Sequence, residues 1–183
     1  DKLGQLDSIL SKPSTEINPD RSQTIVQTEL EKSMSVAKIP YKVFDTELSN
    51  TGRPRLEHNN DTVTKFELLL EEEYDLVITT SAGDYHQDHQ NTFGIVNSAC
   101  RGCIKELWTM EIPPYSHRNT EFNPTVFIDV TDTIDIKLKC LEQYNSYFDT
   151  STLDAIRSLA AYRGSASKTK YAEAFQQIFK VVK

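Results

Sequence analysis

Residues Tyr74-Asp75-Leu76-Val77-Ile78-Thr79-Thr80 form a short β-branched run set between a helical pattern and a polar loop. A run of this length and composition reads as a strand buried in a parallel sheet. Upstream, Asp61 to about Glu73 carries Val63, Phe66, Leu69 and Leu70 on one helical face. Downstream, Ser81 to Tyr85 reads as a loop, and about Asp88 to Cys103 repeats Phe93, Val96 and Cys100 at helical spacing. Helix, strand, loop and helix in that order build an open α/β sheet. In such sheets ligands sit outside the carboxyl ends of the strands, so the loop after Thr80 is the expected place for chemistry.

The rest of the chain is read around that unit. Residues 1–20, with Pro13 and Pro19, read as an irregular arm. Ser22-Gln23-Thr24 is placed to cap a helix running to about Ala37, and Tyr41-Lys42-Val43-Phe44 alternates as a strand would. Ser49 to Asn60 is rich in turn residues. Leu107 to Met110 reads as a strand closed by Pro113-Pro114, and Thr125 to Val130 as another. Helical stretches are expected at about 131–148, 152–163 and 169–181. The expectation is a single Rossmann-like domain over residues 21–183, an open and mostly parallel sheet flanked by helices.

Composition narrows the function classes. A formal charge of −7 and a pI near 5.1 argue against nucleic acid as partner. No apolar run approaches the roughly 20 residues of a membrane helix, so no transmembrane segment is expected. The first residues, Asp1-Lys2-Leu3-Gly4, hold neither Met nor signal-peptide features. They suggest a start inside a longer reading frame or after processing. Cys100, Cys103 and Cys140 give an odd count, which does not suit a secreted disulfide scaffold and favours a reducing, cytoplasmic setting. Cys100 and Cys103 have C-x-x-C spacing, yet no second Cys/His pair completes a zinc site, so burial at a helix end is preferred.

Chemistry concentrates in Asp84-Tyr85-His86-Gln87-Asp88-His89. His86 and His89 are three apart at a strand-to-helix junction, so both rings can face one crevice. Neutral imidazole is a common ligand for zinc and other divalent ions. Asp88, between them, is placed to orient an imidazole or to cap the helix. The bland alternative is a polar helix N-terminus with two solvated rings.

With these residues the chain resembles the PIG-L/LmbE-like N-deacetylases. His86-Gln87-Asp88-His89 matches that family's H-x-D-H motif, and Asp75 to Thr80 its preceding strand. Glu111-Ile112-Pro113 and Phe122 to Asp129 are similar to its next strands. Lys137 with Leu141 is similar to its K-x-x-A/C-L helix, followed by Tyr144 and Ser146. Arg163-Gly164 and Tyr171-Ala172-Glu173-Ala174-Phe175 are similar to its closing signature.

The resemblance implies hydrolysis of an acetamide on an N-acetylglucosamine-type sugar or glycoconjugate, with Zn2+ or another divalent metal as cofactor. It makes His89 a metal ligand and His86, with Asp88, catalytic, His86 stabilising the oxyanion and protonating the leaving amine. Physically, a cation with an open position polarises an amide carbonyl, and a donor is needed where negative charge develops. Partners would be the small-molecule sugar and, in some arrangements, further copies of the chain. The other reading is a non-catalytic relative that binds a sugar or a partner protein.

The chain departs from the family in lacking its N-terminal H-P-D-D motif, which supplies the remaining ligands and the base. Asn18-Pro19-Asp20-Arg21 has the Pro-Asp step without the ligands, and His58 with Asp61 has only ligand spacing. Asp61 is better read as a helix cap. Weak metal binding and little deacetylase activity are therefore expected of this chain, and the sheet is expected to lack its first strand. Arg53 and Arg55 could meet an anionic sugar substituent, and His117 sits in a loop that could cover the crevice. Arg163 and Glu173 are read as a structural ion pair or rim residues.

Overall fold

The computed structural model describes residues 23–44, 56–70, 74–113 and 121–182. The expected arm at residues 1–20, Arg53, Arg55 and His117 lie outside them. Helices α1 (Gln23–Ala37), α2 (Asn60–Glu67), α3 (Gln87–Ala99), α4 (Ile134–Leu141) and α5 (Thr150–Ser167) surround a four-stranded sheet. Its strands are β1 (Tyr74–Thr79), β2 (Ile104–Met110), β3 (Val126–Asp129) and β4 (Ala172–Lys180), in the order β1-β2-β4-β3.

The open α/β architecture stands, but the sheet is mixed rather than mostly parallel. β1 and β2 are parallel, with Tyr74 opposite Ile104 and Thr79 opposite Thr109. β4 then inserts antiparallel between β2 and β3, setting Phe175 opposite both Met110 and Val126. This segment was expected to be helical. Its Ala, Glu and Gln residues favour helix locally, but a central strand pairs its backbone on both sides, and that tertiary gain wins. Ala172 and Ala174 are buried on it, and α5 packs against it.

Two further expectations change. Tyr41 to Phe44 is irregular rather than a strand, and Phe44 packs against Phe66 of α2 with ring centroids 6.2 Å apart. The helix expected over 131–148 is regular only to Leu141. Beyond it, the Ser146 amide donates to the Glu29 carboxylate at 2.9 Å, and the Ser146 hydroxyl does so at 2.7 Å. That carboxylate, buried on α1, takes a donor that a continuing helix would need for its own ladder.

The helix ends follow local chemistry. Asn59 caps α2 in a reciprocal capping box with Thr62, so the cap is Asn59 and not Asp61. Asp149 caps α5 by accepting from Thr152 at 2.8 Å. Near its end, α5 carries Gly164 because the chain crosses there. A Cβ at that position would lie 2.7 Å from the Thr169 carbonyl oxygen. Lys168 closes the helix with φ of 59°, a conformation that favours glycine.

Two apolar clusters hold the layers together. Val96, Cys100, Ile104 and Leu107 join α3 to β2, with Phe66 and Val77 packed against them. Ile134, Leu138, Ile156 and Ala160 join α4 to α5. The first cluster fixes α3 against the sheet, and so fixes the loop that α3 begins.

Candidate functional site

β1 ends at Thr79, and residues Thr80 to Gln90 build a hydrogen-bonded hub past its carboxyl end. Its centre is Asp84, which is 2 % exposed. One carboxylate oxygen accepts from the His86 amide at 2.8 Å. The other lies 2.9 Å from His89 Nδ1. The Gln90 side-chain amide donates to the Asp84 carbonyl at 2.7 Å. Thr80 donates its hydroxyl to the His89 carbonyl at 2.6 Å, pinning the first turn of α3 to the strand end.

His86 is the N-cap of α3, a place taken more often by Ser, Thr, Asp or Asn. Its Nδ1 accepts from the Asp88 amide at 3.2 Å. The helix cap expected of Asp88 is therefore His86, and Asp88 occupies the first turn. The carboxylate set against a histidine ring is that of Asp84. Sequence reading placed Asp84 in the loop without giving it a role. The available signal was a carboxylate five residues before His89, close enough to fold back on that ring.

These contacts make the two rings different, although their centroids are only 4.6 Å apart. A neutral imidazole carries one N–H and one lone pair. His86 Nδ1 is an acceptor, so its proton resides on Nε2, which becomes a donor. His89 Nδ1 faces a carboxylate oxygen, so the neutral ring carries its proton there and its lone pair on Nε2. A ring fixed in this way by a carboxylate is the usual form of a metal-binding histidine. The pair thus joins a hydrogen-bond donor to a metal-type donor atom.

Among the described residues no group of three His, Cys, Asp or Glu side chains is placed to hold an ion. His89 fits a divalent metal in donor type and support, and the other ligands would come from outside those residues. His58 is not near such a role, because its Nε2 meets the Ser98 hydroxyl at 3.1 Å and its ring lies over Gly94. Thr79 and Thr109 are register partners whose buried hydroxyls have no hydrogen-bond partner among the described residues.

Cys100 is fully buried at the end of α3, while Cys103 is exposed and its thiol donates to the Ala99 carbonyl at 3.4 Å. Burial, with Cys103 nearby, pushes the Cys100 thiol up to about 11. The burial expected at the helix end holds for Cys100, the C-cap, and not for Cys103, which lies in the turn beyond it. Arg163 and Glu173, read as a structural ion pair or rim residues, are not paired with each other; both line one cleft and take separate partners. Arg163 is bidentate to Glu111 at 2.9 and 2.8 Å, and Lys137 pairs with Glu173.

The class defined so far is an open α/β domain with a two-histidine, carboxylate-supported loop at its strand ends. No family model matches the chain, and no curated protein sequence matches it either. Solved structures do share its fold. One is the 4-carboxy-2-hydroxymuconate hydratase of Pseudomonas putida, at TM-score 0.73 and 16% identity, covering 98% of this chain and 81% of that one. Another is the N,N'-diacetylchitobiose deacetylase of Pyrococcus horikoshii, at 0.59 and 18%, covering 85% and 63%. A third is a zinc-inhibited teicoplanin deacetylase, at 0.66 and 15%, covering 86% and 74%. These identities establish a common fold, and the reaction has to be argued from the site.

Proposed function

We propose that this chain is a PIG-L/LmbE-like N-deacetylase that hydrolyses the acetamide of an N-acetylglucosamine-type sugar or conjugate. The observation that carries the reading is the division of labour between two adjacent histidines. The Asp84 carboxylate leaves His89 Nε2 as a metal-type donor, and the Asp88 amide leaves His86 Nε2 as a hydrogen-bond donor. Deacetylases on the same fold, one acting on an N-acetylated chito-disaccharide, add to the case.

His89 would hold a divalent ion with ligands from outside the described residues. When bound, such an ion supplies Lewis acidity to an amide carbonyl and lowers the pKa of water. His86 Nε2–H then faces the carbonyl oxygen as negative charge develops and can pass its proton to the departing amine. Asp84 keeps the His89 ring in one tautomer and one orientation throughout. Among the described residues His89 is the single ligand proposed, short of the roughly three that hold a catalytic zinc, so metal binding and turnover are proposed to be weak.

The test is zinc titration by calorimetry together with acetate release from N,N'-diacetylchitobiose. His89→Ala is expected to weaken zinc binding at least tenfold, while His86→Ala leaves zinc unchanged and removes what acetate release there is. Wild-type zinc affinity in His89→Ala would overturn the reading. The incomplete ligand set favours a second reading, a relative that binds a sugar without hydrolysing it. Saturable sugar binding with neither acetate release nor response to zinc would select it. A hydratase on this fold makes hydration of 4-carboxy-2-hydroxymuconate the control reaction.

A further inference from the structure

Past the carboxyl end of β2 lies a cleft of about 80 Å³ between α4, α5 and the start of β4. Glu111 follows Thr109 by two residues, as Ser81 follows Thr79. Since those threonines are register partners on parallel strands, the cleft and the histidine loop both lie past the carboxyl ends of adjacent strands. The histidine loop itself contributes no residue to the cleft wall.

The apolar part of the wall is Met110, Leu159, Ala160 and Phe175, and the polar part is two ion pairs. Arg163 spends Nε and one terminal nitrogen on Glu111, and both oxygens of Glu111 are taken in return. The second pair joins Lys137 to Glu173. Two cations and two carboxylates cancel, so the cleft offers an anion no net attraction. Donors nevertheless remain, as does the second oxygen of Glu173 as an acceptor. The other terminal nitrogen of Arg163 and the remaining N–H groups of Lys137 have no acceptor among the described residues. Lys137 is 40% exposed and can reach an entering group.

Such a wall suits a neutral group with acceptor oxygens on one side and an apolar face on the other. Size sets the scale. A cavity of about 150 Å³ takes a benzene molecule, so this one accommodates a ring edge or an acetamido arm.

The geometry points to a second subsite, in which this cleft holds a neutral, oxygen-bearing and non-reacting part of the amino-sugar substrate. The inference rests on the histidine loop being the reactive centre. Substrates longer than one sugar would then bridge two places past the carboxyl ends of adjacent strands.

Titrating N-15-labelled protein with N,N'-diacetylchitobiose tests this by NMR. Saturable shifts are expected at the amides of Leu159, Ala160 and Ala174, persisting in His89→Ala. Lys137→Met, with its melting temperature unchanged, is expected to weaken binding about tenfold, and Arg163→Lys offers a second variant that keeps the charge but loses the fork. Shifts confined to Ser81–His89 would overturn the cleft and leave the histidine reading intact. Shifts in the cleft with none at the histidines would support the cleft and count against that reading. Saturation by inorganic phosphate in place of sugar, or no saturable shift at millimolar sugar, would overturn the subsite.

Discussion

Asp84 orients one of the two imidazoles and holds the backbone of the other. Its oxygens are divided between the His86 amide and the His89 ring, so one buried carboxylate fixes both the loop backbone and a tautomer. Asp84→Asn can keep the contact to the His86 amide, but its side chain no longer presents two acceptors. It is expected to lower zinc affinity about ten- to a hundredfold with a far smaller loss of stability, read by calorimetry and thermal melting. Cysteine chemistry is predicted at the same scale. Cys100 is buried with its thiol held neutral well above physiological pH, whereas Cys103 is exposed. Alkylation near pH 8 followed by mass spectrometry is expected to label Cys103 and to leave Cys100 unmodified until the protein unfolds. Equal labelling of both would refute the buried helix-end assignment.

Elements were legible in the sequence wherever a periodic apolar pattern coincided with a cap. β1 and α3 were legible from their apolar runs, but β1, expected to be buried, lies at the end of the strand order and is buried only at Thr79, while α1 was read from a looser pattern. β4 was missed because Ala172-Glu173-Ala174 carries helix propensity, and only its place between two strands makes it extended. The early end of α4 was missed for a related reason. Its cause is Glu29, 117 residues away from Ser146, and no local pattern announces that contact. The end of α5 yields a paired prediction. Gly164→Ala would push a Cβ against the Thr169 and Lys170 backbone, costing about 1–3 kcal/mol. Lys168→Gly relieves a left-handed residue and is expected to add about 1 kcal/mol. Chemical denaturation measures both, and a change of the same sign in the two variants would contradict this account.

At the scale of the whole molecule, the mixed sheet brings the histidine loop and the cleft past the carboxyl ends of adjacent strands. β1 carries the histidine loop, β2 carries Glu111, and β4 returns antiparallel to wall the cleft beside them. His86 and His89 were identifiable from spacing alone because a strand-to-helix junction brings residues three apart to one side. The support of His89 by Asp84, and the exchange of partners among Glu111, Lys137, Arg163 and Glu173, required the fold. Spacing does not encode which carboxylate a buried cation will meet. The same fold serves a hydratase and deacetylases, so the proposal depends on the state of two rings and not on topology.

That state is directly measurable. Long-range proton–nitrogen correlation NMR of the imidazoles is expected to show His86 protonated on Nε2 and His89 protonated on Nδ1, with added zinc shifting Nε2 of His89 and leaving His86 in its tautomer. The same tautomer in both rings, or zinc acting on His86 in place of His89, would contradict the account.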